Sequence, residues 1–142
     1  MTMKNPPFTP IPEETLTACL AQLAFTDQGL VPAIAQQHDT GEILMMAWMN
    51  EAAVRESLTT GVVCYWSRSR QALWRKGETS GQVQRLVHFR YDCDRDCLLL
   101  LVDQTGVACH TGRRNCFYHE VTSDGIKVIS KVEIDPKTLY SK

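Results

Sequence analysis

The chain has 142 residues, 44% of them hydrophobic and 22% charged, with a formal net charge of −1. This fits one ordinary globular domain and excludes a disordered chain. Near-neutral charge argues against a general binder of nucleic acid or membrane surfaces, and no run approaches the roughly 18 consecutive apolar residues of a membrane span.

Residues 1–12 read as an irregular arm, rich in Pro and Thr and without the basic-then-apolar pattern of an export signal, so a cytoplasmic location is expected. From Glu13 to Ala24, Leu16, Cys19, Leu20 and Leu23 fall at i, i+3, i+4 and i+7, the stripe of an amphipathic helix. Two apolar runs, Val31 to His38 and Ile43 to Met49, are split by Asp39-Thr40-Gly41 and predict a hairpin. Asn50 suits the N-cap of a short helix through Thr60, and Gly61 its C-terminal stop. Val62 to Ser67 reads as a strand, Arg68 to Gly81 as an ordered, glycine-punctuated loop, and Val83 to Tyr91 and Leu98 to Val102 as strands. Thr105 to Asn115 has turn chemistry, and Val128 to Ile134 alternates loosely as a last strand. The expected fold is a single, β-rich α+β domain over residues 1–142.

The charge is unevenly spread. Residues 1–54 hold one basic and six acidic residues, whereas residues 55–90 hold seven basic and two acidic, a net of +5. Within this segment Tyr65-Trp66-Ser67-Arg68-Ser69-Arg70 leads into Leu73-Trp74-Arg75-Lys76-Gly77-Glu78-Thr79-Ser80-Gly81. Cations, hydroxyls and glycine backbone can hold phosphate, and an indole can stack on a base. A solvated basic loop is the plainer reading, and a single-stranded nucleic-acid binder would use similar residues. The acidic remainder of the chain favours an anionic small molecule.

A cytosolic setting makes the six cysteines metal ligands, catalytic thiols or core residues rather than disulfides. Asp92, Asp94 and Asp96 stand at i, i+2 and i+4. In an extended chain they share one face at about 7 Å spacing. Such carboxylates repel one another unless a cation sits among them, and oxygen-only ligands suit Mg²⁺. An exposed acidic strand end is the alternative. Cys109 and Cys116 flank a Gly-containing turn, a route to a zinc site, with Cys93 and Cys97 as candidates for a third ligand. If extended, those two lie ~13 Å apart and cannot share one ion. Three thiolates with an open position make a catalytic arrangement, but they over-neutralise zinc, so a general base is wanted. His110, next to Cys109, is the candidate, since imidazole titrates near neutrality. His38, His88 and His119 read as ordinary solvent-facing histidines. No CxxC occurs, as a thiol redox protein would want, and the H-x-E and P-C-x-x-C signature of base deaminases is missing.

Read together, AWMN (Ala47–Asn50), YWSRSR (Tyr65–Arg70), LWRKGETSG (Leu73–Gly81), DCDRD (Asp92–Asp96) and ACHTGRRNCF (Ala108–Phe117) resemble the phosphoribosyl-AMP cyclohydrolase family over roughly residues 30–118. The resemblance implies a stand-alone hydrolase of histidine biosynthesis that opens the adenine ring of phosphoribosyl-AMP. It implies an intertwined homodimer with strands from both chains and active sites shared between them. It implies Zn²⁺ on Cys93, Cys109 and Cys116, Mg²⁺ on Asp92, Asp94 and Asp96, and proton transfer by His110. Substrate contacts are assigned to Trp66, Ser67 and Arg68, and to Trp74, Arg75, Lys76, Gly77, Thr79, Ser80 and Gly81. No nucleic-acid or membrane partner is expected. Cys97 departs from the small or polar residue usual in the family, and residues 119–142 read as a C-terminal extension.

Overall fold

The computed structural model describes residues 8–139. The elements run α1 (Glu13–Gln22), β1 (Val31–Gln37), β2 (Ile43–Met49), α2 (Glu51–Thr60), β3 (Cys64–Ser67), β4 (Ala72–Arg75), β5 (Gln84–Tyr91), β6 (Leu98–Gln104), β7 (His119–Thr122), β8 (Gly125–Val128) and α3 (Pro136–Leu139). Six strands form one sheet in the order β4-β3-β2-β1-β6-β5, and β7 and β8 form a separate hairpin.

The predicted β1–β2 hairpin forms, with Val31 opposite Met49. Alternation of apolar residues puts one face of β1 and β6 wholly inside, through Val31, Ala33 and Ala35 on β1 and Leu98, Leu100 and Val102 on β6. Fully burying a side chain such as Leu98 or Leu100 contributes about 1.5–3 kcal/mol before entropy costs, so these two strands anchor the core. They pair in parallel from Ala33–Leu98 to Gln37–Val102, and every other neighbouring pair in the sheet is antiparallel.

The sheet curls until its ends approach. The start of β5 turns back on the chain entering β3: Val63 N–H donates to Gln84 O at 3.0 Å and Leu86 N–H to Gly61 O at 2.8 Å. The α2 cap fixes that entry. Asn50 Oδ1 accepts from Ala53 N–H at 2.9 Å, and Gly61 takes the left-handed conformation (φ 78°) that ends the helix. Helix α1 packs on α2, with Leu16 buried in the common core.

Four expectations are corrected. Arg68–Gly81 is not all loop: Ala72–Arg75 is strand β4, whose zipper onto β3 pairs Tyr65 with Trp74 and Trp66 with Leu73. Only four residues long and flanked by polar, basic sequence, it carries little strand signal of its own. Val128–Ile134 is not a strand; the pairing falls earlier, on β7 and β8, because the turn at Thr122–Gly125 sets the register. The segment beyond instead follows the cysteine turn, with Glu133 and Ile134 N–H both donating to Gly112 O. Asp92–Asp96 is not extended but a tight turn, closed by Asp92 N–H to Cys97 O at 3.0 Å and by Arg95 at φ 63°. His38 is not fully solvent-facing: it is half-buried, and its Nε2 has no hydrogen-bond partner among the described residues.

Candidate functional site

The β3–β4 turn, the segment after β4 and the cysteine turn surround a cleft of about 840 Å³. Ser67, Trp74, Arg75, Lys76, Gly77, Thr79 and Ser80 line it, and so does His110, which is exposed at its edge. The pairing of β4 with β3 carries the basic segment to this position. Gly77 is required there: at φ 82°, a Cβ would meet the backbone of Gln82 and Val83. Trp66 and Arg68 are placed elsewhere, lining a second, smaller hollow of about 440 Å³ with Asn50 and Gln71. Arg68 lies 4.9 Å from the centre of the Trp48 ring. Gly81 lines neither cavity.

The cations of the basic segment are not equivalent. Arg75 is engaged by Glu56 through two bonds of 2.8 and 2.9 Å, and that contact holds the Glu56 carboxyl below its ordinary range. Lys76 is 5% exposed, an unusual state for a lysine. Its Nζ donates to Gln82 O at 3.4 Å, and burial pulls its pKa down while Cys116 and Cys109 push it up. The sequence reading placed Lys76 among the substrate contacts and missed its burial.

Cys109 and Cys116 meet. Ala108 and Cys109 N–H bond back to Arg114 and Arg113 O, closing the turn, and Cys116 N–H donates to Leu44 O on β2 at 2.8 Å. Burial, followed by the neighbouring Cys109, pushes the Cys116 thiol up to about 12. Thr111 Oγ1 donates to Cys109 Sγ at 3.0 Å, a contact the sequence reading did not single out. Gly112 sits at φ 86° with Ile134 O where a Cβ would stand, so only glycine lets the 130–134 segment close on this turn.

Behind the turn lies a chain of buried amides. Tyr65 Oη donates to Gln84 Oε1 at 2.6 Å, Gln84 Nε2 to Gln104 Oε1 at 2.9 Å, and Gln104 N–H to Gln37 Oε1 at 2.9 Å. Gln104 Nε2 reaches the carbonyls of Thr105 and Val107, at the start of the cysteine turn. These glutamines look like surface residues in the sequence; only the curled sheet makes them interior.

The third sequence-predicted thiol stays apart. Cys93 is exposed on the β5–β6 turn, and among the described residues it does not converge with Cys109 and Cys116 within one chain. Cys97 is half-buried, with its Sγ toward Leu98 O, as a packing thiol would be. Asp92, Asp94 and Asp96 do converge: an oxygen from each lies within 4.8 Å of the others. Asp92 Oδ1 accepts from the Asp96 and Cys97 N–H groups, which folds the triad together. Lost solvation, then repulsion from Asp92 and Asp94, raises the Asp96 pKa, as expected of crowded carboxylates. The donor sets therefore fit a hard cation at the aspartates, and at the cysteines two of the ligands of a thiophilic one.

A family model described as phosphoribosyl-AMP cyclohydrolase matches residues 45–118. The phosphoribosyl-AMP cyclohydrolase of Alkalilimnicola ehrlichii is 67% identical over 127 residues, 89% of each chain. That of Magnetococcus marinus is 64% identical over 123 residues, 87% of this chain and 95% of the relative. The chain belongs to the phosphoribosyl-AMP cyclohydrolase family. It is accordingly an enzyme, a hydrolase. The matched segment spans the cleft, both metal-type clusters and the strands that hold them. In this cyclohydrolase fold the aspartate turn and the cysteine turn hang from opposite ends of β6, which explains why one chain separates Cys93 from Cys109 and Cys116. Among the described residues no helix is long and apolar enough to cross a membrane.

Proposed function

We propose that the enzyme hydrolyses the N1–C6 bond of the adenine ring in 1-(5-phosphoribosyl)-AMP, giving the phosphoribosylformimino-aminoimidazole carboxamide ribotide of histidine biosynthesis, in the cytoplasm. The supporting observation is the cleft itself, in a chain whose relatives are named cyclohydrolases. It joins a cationic, hydroxyl-rich wall for phosphate to an exposed imidazole one residue from a paired thiol.

In this reading the N1 substituent leaves the ring electron-poor at C6. Water forms a bond to C6, the N1–C6 bond breaks, and as the water oxygen becomes the carboxamide carbonyl its two protons end on the departing N1 and on the exocyclic nitrogen. His110 takes one of these protons and returns it to the departing N1. Arg70, Thr79 and Ser80 hold phosphate, with Gly77 admitting a close backbone approach. Arg75 contributes less than its charge suggests, because Glu56 already neutralises it.

Cys109 and Cys116 of one chain and Cys93 of a second would hold zinc, which supplies Lewis acidity when bound. Asp92, Asp94 and Asp96 would hold magnesium. A homodimer with shared sites accounts for an exposed Cys93. It also gives the apolar β7–β8 hairpin a surface to cover, since Val121, Ile126 and Val128 are all open to solvent. The test is to strip the protein with chelator, restore Zn²⁺ and Mg²⁺ separately and together, and follow the ultraviolet change as phosphoribosyl-AMP is opened. Metal-dependent turnover that is lost in folded Cys109→Ala supports the reading. A folded Cys109→Ala enzyme with normal turnover overturns the zinc mechanism, and no turnover by the metal-loaded wild type overturns the reaction.

A further inference from the structure

Between Gly112 and Cys116 the chain carries two cations and an amide, yet none of the three lines the cleft or the smaller hollow. Each is spent on the fold. Arg113 Nε donates to Ser130 O at 3.0 Å, and Asn115 Oδ1 accepts from Phe117 N–H at 2.8 Å. Arg114 Nη1 donates to Gly106 O at 2.6 Å and to Gln104 O at 3.3 Å, gathering the chain that leaves β6. One carboxylate then ties this limb to the β1–β2 turn. Glu42 Oε1 accepts from Arg114 Nε at 3.2 Å and Oε2 from Asn115 Nδ2 at 2.9 Å, reaching residues 72 and 73 positions along the chain. Glu42 is itself fixed: its N–H donates to Thr40 Oγ1 at 3.2 Å and its carbonyl accepts from Gln37 N–H at 2.8 Å. Both partners of the ion pair are half-buried, so salt and water screen it less than a surface pair. The clamped limb in turn holds the other. Ala108 N–H donates to Arg114 O at 2.9 Å and Cys109 N–H to Arg113 O at 3.1 Å, and His110 comes next, exposed at the cleft edge.

We infer that Glu42 is a positioning residue for the reaction: by gripping Arg114 and Asn115 it fixes the turn that presents His110 to the cleft. It lies outside the family-matched segment, which begins at Met45. The inference rests on the reaction and the His110 role proposed above. Two bonds from one planar carboxylate to consecutive residues fix both the distance and the tilt of the limb, which a single bond leaves free to swing. Displacing a reacting group by about 1 Å costs on the order of 100-fold in rate. Arg114 accordingly serves the turn and not the substrate's phosphates.

The experiment compares wild type, Glu42→Gln, Asn115→Asp and the variant carrying both changes. It reads steady-state kinetics with both metals saturating, and thermal unfolding and amide hydrogen exchange of the metal-free proteins. In Glu42→Gln the new amide nitrogen faces a donor, either Asn115 Nδ2 or Arg114 Nε, and in Asn115→Asp two carboxylates face each other. Each single change should lower kcat of the folded enzyme by about 10–100-fold, with KM for phosphoribosyl-AMP within about twofold of wild type. Exchange at the Ala108 and Cys109 N–H groups should quicken by about tenfold. The double variant pairs every group again: the new amide oxygen accepts from Arg114, and its nitrogen donates to the new carboxylate. Its kcat should return to within about threefold of wild type, and the exchange should slow again. A merely structural clamp would lower the melting temperature of the single variants and leave kcat of the folded enzyme unchanged; that result overturns the inference. So does a double variant no faster than the singles. If metal-loaded wild type leaves phosphoribosyl-AMP unopened, the reaction reading fails and the inference falls with it. If wild type turns over and His110→Asn loses rate while Glu42→Gln does not, the inference alone fails.

Discussion

Tyr65→Phe removes one oxygen from the best-connected point behind the site. Tyr65 and Gln84 are both fully buried, and their hydrogen bond is 2.6 Å long. Phenylalanine keeps the ring and its contact with Trp74, whose centroid lies 5.4 Å away, so the change isolates the hydroxyl. Gln84 Oε1 is then left without its donor in the interior. The amide cannot flip to compensate, because its Nε2 already donates to Gln104 Oε1 at 2.9 Å. An unsatisfied buried acceptor costs about 1–3 kcal/mol. Taking the middle of that range, the metal-free protein should lose roughly 2 kcal/mol and its thermal midpoint should fall by about 6 °C for a chain of this size. Urea unfolding monitored by tryptophan fluorescence reads the loss directly, as a shift in midpoint with an unchanged slope. A loss under about 0.5 kcal/mol would refute the reasoning, since it would mean that Gln84 is satisfied from elsewhere.

His110→Asn should leave folding and zinc content intact and lower kcat by about 10²–10⁴-fold, the usual worth of a positioned acid–base group; steady-state kinetics on the zinc-loaded variant checks this, and unchanged kcat removes His110 from the chemistry. Mixing Cys93→Ala with Cys109→Ala subunits, each inactive alone, should recover about a quarter of wild-type activity if ligands are shared across a two-fold dimer: random exchange makes half the dimers mixed, each with one intact site. No recovery after verified subunit exchange would place all three ligands in one chain. Glu56 has its pKa depressed by Arg75, so the pair adds stability above the ordinary carboxylate range that is lost as pH falls through the folded value. Because the pair is open to solvent screening, Glu56→Gln should cost only about 0.5 kcal/mol at pH 7, and the difference should shrink as pH falls below the ordinary carboxylate range, read from urea midpoints across that range.

The sequence carried the local pieces well. Alternating apolar residues announced the β1–β2 hairpin, and Asn50 and Gly61 marked both ends of α2, because capping and turn chemistry act over a few residues. The motif set carried the family, and the spacing of Asp92, Asp94 and Asp96 carried the expectation of a carboxylate cluster. What the sequence left open depends on partners distant in the chain. Strand β4 is only four residues long, and the strand emerges only when β3 supplies its hydrogen bonds. The aspartates share a centre because Asp92 accepts from two amides across a turn, a geometry that no i, i+2, i+4 spacing encodes. Burial was the least legible property. Lys76, Gln84 and Gln104 are polar residues, and a sequence places such residues outside by default. The curling of the sheet, which brings β5 back to the entry of β3, encloses them. The chain's motifs thus determined the family, whereas tertiary closure decided which polar side chains lie inside and which thiol stays outside. Charge and hydrogen-bonding capacity belong to each residue alone; solvent exposure belongs to the packed whole.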